Sequence, residues 1–270
     1  MAEIYYYGER GLIDSLLLDI IHSNKQDKII RNIVKKINPE SKINLKSGSS
    51  PFEIYVEPSF GQKNGFGVPD LIIKAKNVIN ANDELYIIEA KCGTVNGNCY
   101  SGEDPNKFWE NSSKLNVQLL LRYRFIRLLK ESTVINGKYC VYEDKNVYSD
   151  ESHASKSANG ISYQRALGNS DNTSWVKELK DIDLGNIYYV ALTSDSKDNK
   201  DELKKLKESY KVNFKLSVDE QKKYDGFKNH IKLLTYKEIL DIFEELDVKT
   251  SFFEKSCGKF HYYELPKEKL

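Results

Sequence analysis

Val68-Pro69-Asp70-Leu71-Ile72-Ile73 and Leu85-Tyr86-Ile87-Ile88-Glu89-Ala90-Lys91 are two apolar, strand-forming runs, each carrying charge at one end. Pro69-Asp70 is followed, after eighteen intervening residues, by Glu89-x-Lys91. Period-2 alternation puts Glu89 and Lys91 on one strand face with Ile87, and Ala90 on the other. Charges at the end of a buried strand need partners or a task. The same Glu-x-Lys pattern recurs at Glu40/Lys42, Glu143/Lys145, Glu178/Lys180, Glu202/Lys204 and Glu220/Lys222, in polar or helical surroundings where it reads as a solvated face. Only Glu89/Lys91 closes a run of bulky strand formers. Two carboxylates and one ammonium at a shared strand edge can bind a hard divalent cation and activate a water, a chemistry suited to phosphodiester hydrolysis.

Upstream, Leu12, Ile13, Leu16, Leu17, Ile20 and Ile21 recur at helical spacing and predict a helix from Gly8 to Ser23. Glu9 lies on the row of Ile13, Leu16 and Ile20 and is expected to face the core. A second helix follows through Ile29, Ile30, Ile33 and Val34, with a basic opposite face. After Ser47-Gly48-Ser49-Ser50-Pro51, Phe52–Val56 reads as a strand, and Gly61 to Gly67 as a turn. No Lys-Ser/Thr follows these glycines, so they predict hairpin geometry rather than a phosphate loop. Strands Val68–Lys74 and Leu85–Lys91 are joined through Asn80-Ala81-Asn82-Asp83. Ser112 or Ser113 is positioned to cap a long helix from Lys114 to Lys130.

Downstream, Ile187–Leu192 predicts a buried strand, Asp201–Tyr210 a charged surface helix, Ile231–Leu234 a short strand and Tyr236–Leu246 an amphipathic helix. The residues from 133 to 183 are mostly polar and predict an insertion or a mobile lobe. The expected organisation is one domain. Its core comprises residues 8–130 and 184–246, with an insertion over 131–183 and a tail over 247–270.

The balance of 41 basic and 40 acidic residues, a net charge of +1, argues against a histone-like binder. Local basicity remains sufficient for phosphate contacts. Lys25 to Lys46 holds Lys25, Lys28, Arg31, Lys35, Lys36, Lys42 and Lys46 against Asp27 and Glu40, and Lys114 to Lys130 adds Arg122, Arg124 and Arg127 with no acid. Cys92, Cys99, Cys140 and Cys257 are scattered, and His22, His153, His230 and His261 do not bracket them at zinc spacing. Reduced thiols are expected. The start lacks a basic and then apolar leader, and no apolar run approaches membrane-spanning length, so a soluble, cytoplasmic protein is expected.

A helix with inward Glu9, a strand, a strand with Pro-Asp at its edge, a strand ending in Glu-x-Lys, a helix, then strand, strand, helix resembles the PD-(D/E)xK nuclease superfamily. The resemblance spans Gly8 to Lys130 and, more loosely, the strands near Tyr188 and Leu233. It implies an α/β restriction-endonuclease-like core, with a central mixed β-sheet flanked by α-helices. Asp70 and Glu89 would be metal ligands together with the Ala90 carbonyl. Lys91 would hold the attacking water, and Glu9 would support the metal. The implied cofactor is Mg²⁺, with Mn²⁺ as a substitute, and the implied partner is DNA ahead of RNA, with a restriction-type endonuclease as the working subclass. A homodimer would suit double-strand cleavage.

One departure concerns the Gln-x-x-x-Tyr of exonuclease-like members. Gln118 is followed at that spacing by Arg122, and Tyr123 comes one position later. Gln118 and Arg122 share a helix face, from which both can contact a phosphate; Tyr123 does not.

The bland alternatives are specific. Asp70 can be a turn residue after Pro69, Glu89/Lys91 a charged edge-strand pair, Glu9 a helix-dipole acid and Gln118 a core-margin amide. Glu57, beside Pro58, is placed either to join the site or, the favoured reading, to mark the exit to a turn. The rival at the level of function is a catalytically silent nuclease-like module that binds nucleic acid or protein.

Overall fold

Leu85 and Ile87 face one side of their strand and Tyr86, Ile88 and Ala90 the other, and all five are buried. A strand apolar on both faces belongs in the middle of a covered sheet. In the computed structural model it lies there, as β3 (Glu84–Ala90). The structure describes residues 8–41, 43, 50–58, 66–76, 83–93, 113–144, 155–156, 162–171, 175–194, 199–212 and 226–259. Residues 61–65 of the turn expected over 61–67, residues 80–82 of the joint expected over 80–83, and Ser112 lie outside them.

Around β3 runs a five-stranded mixed sheet. Its order is β1 (Phe52–Val56), β2 (Leu71–Ala75), β3, β8 (Ile187–Thr193) and β9 (Ile231–Thr235). The pairs β1/β2 and β2/β3 are antiparallel, and β3/β8 and β8/β9 are parallel. The parallel strands end together, which gathers the ends of β3 and β8 at one edge.

Helices cover both faces. α1 (Gly8–His22) and α2 (Gln26–Ile37) bury Leu12, Leu16, Ile29, Ile33 and neighbours against Leu71, Ile73, Tyr86 and Ile88. On the other face, α3 (Leu115–Glu131) buries Leu119, Phe125, Ile126 and Leu129 against Ile72, Leu85, Ile87 and Tyr189. α4 (Trp175–Asp181), α5 (Asn199–Val212) and the short α6 (Phe227–His230) lie along the chain between α3 and β9. α7 (Tyr236–Glu245) opens with a capping box: Thr235 accepts from the Glu238 amide while Glu238 accepts from the Thr235 amide.

Several expectations change. β2 starts at Leu71 rather than Val68, because Pro69 has no amide to donate to a ladder and the Val68 carbonyl accepts from Arg122. α3 begins after Lys114 and has no side-chain cap, so Ser113 does not serve as one.

The polar stretch after residue 132 contains a second antiparallel sheet in the order β4 (Thr133–Ile135), β5 (Lys138–Asp144), β7 (Ser162–Asn169) and β6 (Ser155–Lys156). Tyr139, Val141 and Leu167 carry its apolar side into the core shared with α3. Asn136 and Gly137, at φ +50° and +71°, form its first turn. Beyond α7, α8 (Phe253–Lys259) buries Phe253 and Cys257 against the α1 side of the core. None of the described helices is long and apolar enough to cross a membrane.

Candidate active site

The register of β2 on β3 pairs Leu71 with Ile88. Continued by one residue, it sets Asp70 opposite Glu89, which accounts for the spacing of the two acids along the chain. Directly opposed residues of an antiparallel pair share a face, and like charges there repel unless neutralised. On its other side the backbone continues the β1/β2 pairing, since the Glu57 amide donates to the Asp70 carbonyl at 3.2 Å. The Asp70 side chain turns to β3, where Oδ2 accepts the Ala90 amide at 2.7 Å. Ala90, expected to offer its carbonyl to a metal, also gives its N–H to Asp70.

Glu89 is fully buried, and the cation beside it comes from α3. Arg122 Nε donates to Glu89 Oε1 at 2.5 Å, Nη2 donates to the Val68 carbonyl at 2.9 Å, and Nη1 donates to the Phe66 carbonyl. With only 2% of its surface exposed, Arg122 is an internal residue, not the outward phosphate contact expected from the sequence. Arg124 and Arg127 are buried as well, so the basic stretch on α3 does not form a surface. α3 is apolar on nearly every side, and such a helix takes its charged residues inside with it.

Lys91 follows the last residue of β3. Its amide donates to the Leu192 carbonyl at 2.8 Å, and its carbonyl accepts the Tyr236 hydroxyl at 3.2 Å. The ammonium donates to Glu9 Oε2 at 2.8 Å, although Lys91 as a whole is 5% exposed. Glu9 sits in the first turn of α1 with its side chain 38% exposed, so it borders the core rather than entering it. The charged pair of β3 is therefore divided: Glu89 pairs with α3, and Lys91 with α1 on the opposite face of the sheet. The strand ends at Ala90, and past that point the alternation no longer dictates direction.

Burial pushes the Glu89 carboxyl up to about 7 against the pull of Arg122, and the Asp70 charge adds to the rise. Burial also raises Asp70, opposed by the Ala90 amide and the Lys91 charge. Both acids thus hold protons more tightly than free carboxyls, the usual consequence of carboxylates sharing a desolvated site.

This donor set suits a hard divalent ion. Glu89 Oε2 is buried and has no hydrogen-bond partner among the described residues, which leaves an anionic oxygen uncompensated. No group of three or more His, Cys, Asp or Glu able to hold a metal occurs among the described residues. An ion here would complete its shell from water and substrate oxygens, as Mg²⁺ commonly does with one or two carboxylates.

Gln118, one turn before Arg122, is half-buried, and its Oε1 is buried without a partner among the described residues. Residues that sequence reasoning left out include Tyr236, whose contact with Lys91 spans 145 positions and leaves no local trace. Glu57, read as a turn exit, follows β1 at φ +45°; its amide donates to the Asp70 carbonyl and its carboxylate pairs with Arg10 at 3.1 Å. The exposed lysines Lys28, Lys35 and Lys36 confirm the basic outer face of α2. The chain matches no protein-family model, no curated protein and no solved structure.

Proposed function

We infer that the protein is a metal-dependent nuclease with the restriction-endonuclease-like version of this fold, hydrolysing phosphodiester bonds in DNA. A restriction-type endonuclease is the working subclass. What carries the reading is the convergence of Asp70, Glu89, Lys91 and Glu9 at one edge of the sheet, with one Glu89 oxygen buried and unpartnered. Asp70 and Glu89 hold the ion. Bound Mg²⁺ supplies Lewis-acid polarisation of the phosphate and a more acidic water.

Lys91 brings a buried positive charge to the phosphate oxygens and a donor that can orient the attacking water, and Glu9 fixes the direction of that donor. Water adds its oxygen to phosphorus as the bond to the leaving sugar oxygen breaks; that oxygen takes up a proton, and the product phosphate gives one up. The preference for DNA follows from the resemblance in sequence pattern alone.

The second reading, a silent nuclease-like binding module, is favoured by one observation. Glu89 Oε1 and the Lys91 ammonium are already engaged, by Arg122 and Glu9 respectively. The two readings separate on incubation of circular single-stranded and supercoiled double-stranded DNA with Mg²⁺ or Mn²⁺, using wild type, Asp70→Ala and Lys91→Ala. Metal-dependent nicking by wild type alone supports the nuclease. DNA binding by all three proteins with no cleavage, and none of RNA or of DNA with free ends, would leave only the binding module.

A further inference from the structure

We propose that Arg122 is the positioning residue of this site, a single guanidinium that sets both metal-binding carboxylates in place. This rests on the reading above, in which Asp70 and Glu89 hold the ion. Arg122 Nε engages Glu89 Oε1, while Nη1 and Nη2 engage the carbonyls of Phe66 and Val68. Those carbonyls belong to the segment that leads directly into Asp70. One rigid, planar fork therefore ties the end of β3 to the approach to β2. A second tie is the bond from the Ala90 amide to Asp70 itself.

Gly67 records how closely the backbone wraps this fork. It lies between the two accepting carbonyls at φ +70°, and a Cβ there would stand 2.8 Å from Nη1. A side chain at position 67 would displace the guanidinium. Both Arg122 and Glu89 are buried, so water cannot replace the lost donors without rearrangement. With Oε1 held by Arg122, Oε2 is the oxygen left for an ion.

Positioning and simple charge predict opposite outcomes. By Coulomb's law alone, removing a cation beside a metal site strengthens metal binding. If Arg122 sets the geometry of both ligands, removing it weakens binding, and residues that orient metal ligands typically contribute about tenfold to a hundredfold in affinity.

The test is titration with Mn²⁺ alone, counting free ion by electron paramagnetic resonance. Wild type, Arg122→Gln, Arg122→Lys and Gly67→Ala are compared, each checked for folding by its melting transition. The expected result is weakening by about tenfold or more in Arg122→Gln and Gly67→Ala, with Arg122→Lys between them and wild type. Gly67→Ala removes no charge from the chain, so a loss there is geometric, and it carries the test if Arg122→Gln does not fold. Binding by Arg122→Gln or Gly67→Ala as tight as wild type, or tighter, would overturn the proposal. Wild type that binds no Mn²⁺ would instead remove the metal-dependent reading on which it rests.

Discussion

Asp70 Oδ2 accepts the Ala90 amide at 2.7 Å, so an acid that precedes β2 is bonded to the last residue of β3. The bond holds the carboxylate at the end of β3, on the residue next to Glu89 in the chain. Asp70→Asn keeps an oxygen acceptor for the amide but removes the charge. We expect it to fold with a stability within about 1 kcal/mol of wild type and to lose both Mg²⁺-induced stabilisation and DNA cleavage. Melting curves with and without Mg²⁺, beside a plasmid-nicking assay, check this. Retained metal stabilisation would remove Asp70 from the ligand set.

Glu89 gives the pH dependence. Its folded-state value, raised by burial to about 7, lies above the ordinary 4.5. Its contribution to stability is therefore full below the ordinary value and is lost as pH rises through about 7. A divalent ion binds the ionised form and offsets that loss, so metal binding should strengthen with pH. The rise in melting temperature caused by Mg²⁺ is expected to grow between about pH 6 and about pH 8. In Glu89→Gln the increment should be absent throughout. A pH-independent increment in wild type would mean the ion does not engage Glu89.

Asp19 anchors the end of the described chain. Buried in α1, it accepts the amides of Ser251 at 2.9 Å, Phe252 at 3.1 Å and Phe253 at 2.8 Å, which makes it the N-terminal cap of α8 supplied from another helix. Charge-assisted caps of this kind are strong. Asp19→Ala should destabilise the protein by about 2 kcal/mol and raise amide exchange in α8 ahead of the sheet. Urea denaturation and hydrogen exchange read the two effects. Unchanged exchange at residues 253–257 would show that Phe253 packing alone retains the helix.

Lys74 performs a similar service away from the site. Nearly buried on β2, it donates to Glu178 of α4 at 2.7 Å and lies 3.6 Å from both Glu53 and Asp83. Burial lowers its proton affinity, but these acids outweigh that and the net direction is upward. Lys74→Ala leaves three acids without their shared cation. A loss of about 2 kcal/mol is expected, with the Mn²⁺ affinity of the folded protein unchanged. Weaker Mn²⁺ binding would mean that the network reaches the metal ligands.

Much of the fold is legible where one period dominates. The alternation in β3 and the apolar stripe of α1 give the right elements to within a residue or so, because burial on defined faces leaves few other solutions. The acids are legible too, since a charge closing an apolar strand stands out. Arg122 was misread from the same page: its basic neighbours suggested a surface, while the all-round apolar character of α3 pointed inward. The second sheet carried a signal in Asn136-Gly137 and another in Tyr139-Cys140-Val141-Tyr142, a strand-forming run closed by Glu143 that the polar residues around it obscured. Asp19 offered no signal, because its partners lie 232 to 234 positions later.

Lys91 depends on residues made long after it: its amide is held by Leu192 and its carbonyl by Tyr236. During synthesis, Glu9, Asp70, Glu89 and Lys91 all leave the ribosome well before the groups that fix the lysine backbone. A nascent chain thus carries every charged group of the site while lacking its frame. The frame of the lysine arrives late, with the strand and helix that close the sheet edge, and a chain interrupted before residue 236 would hold these charges without the geometry of the folded site.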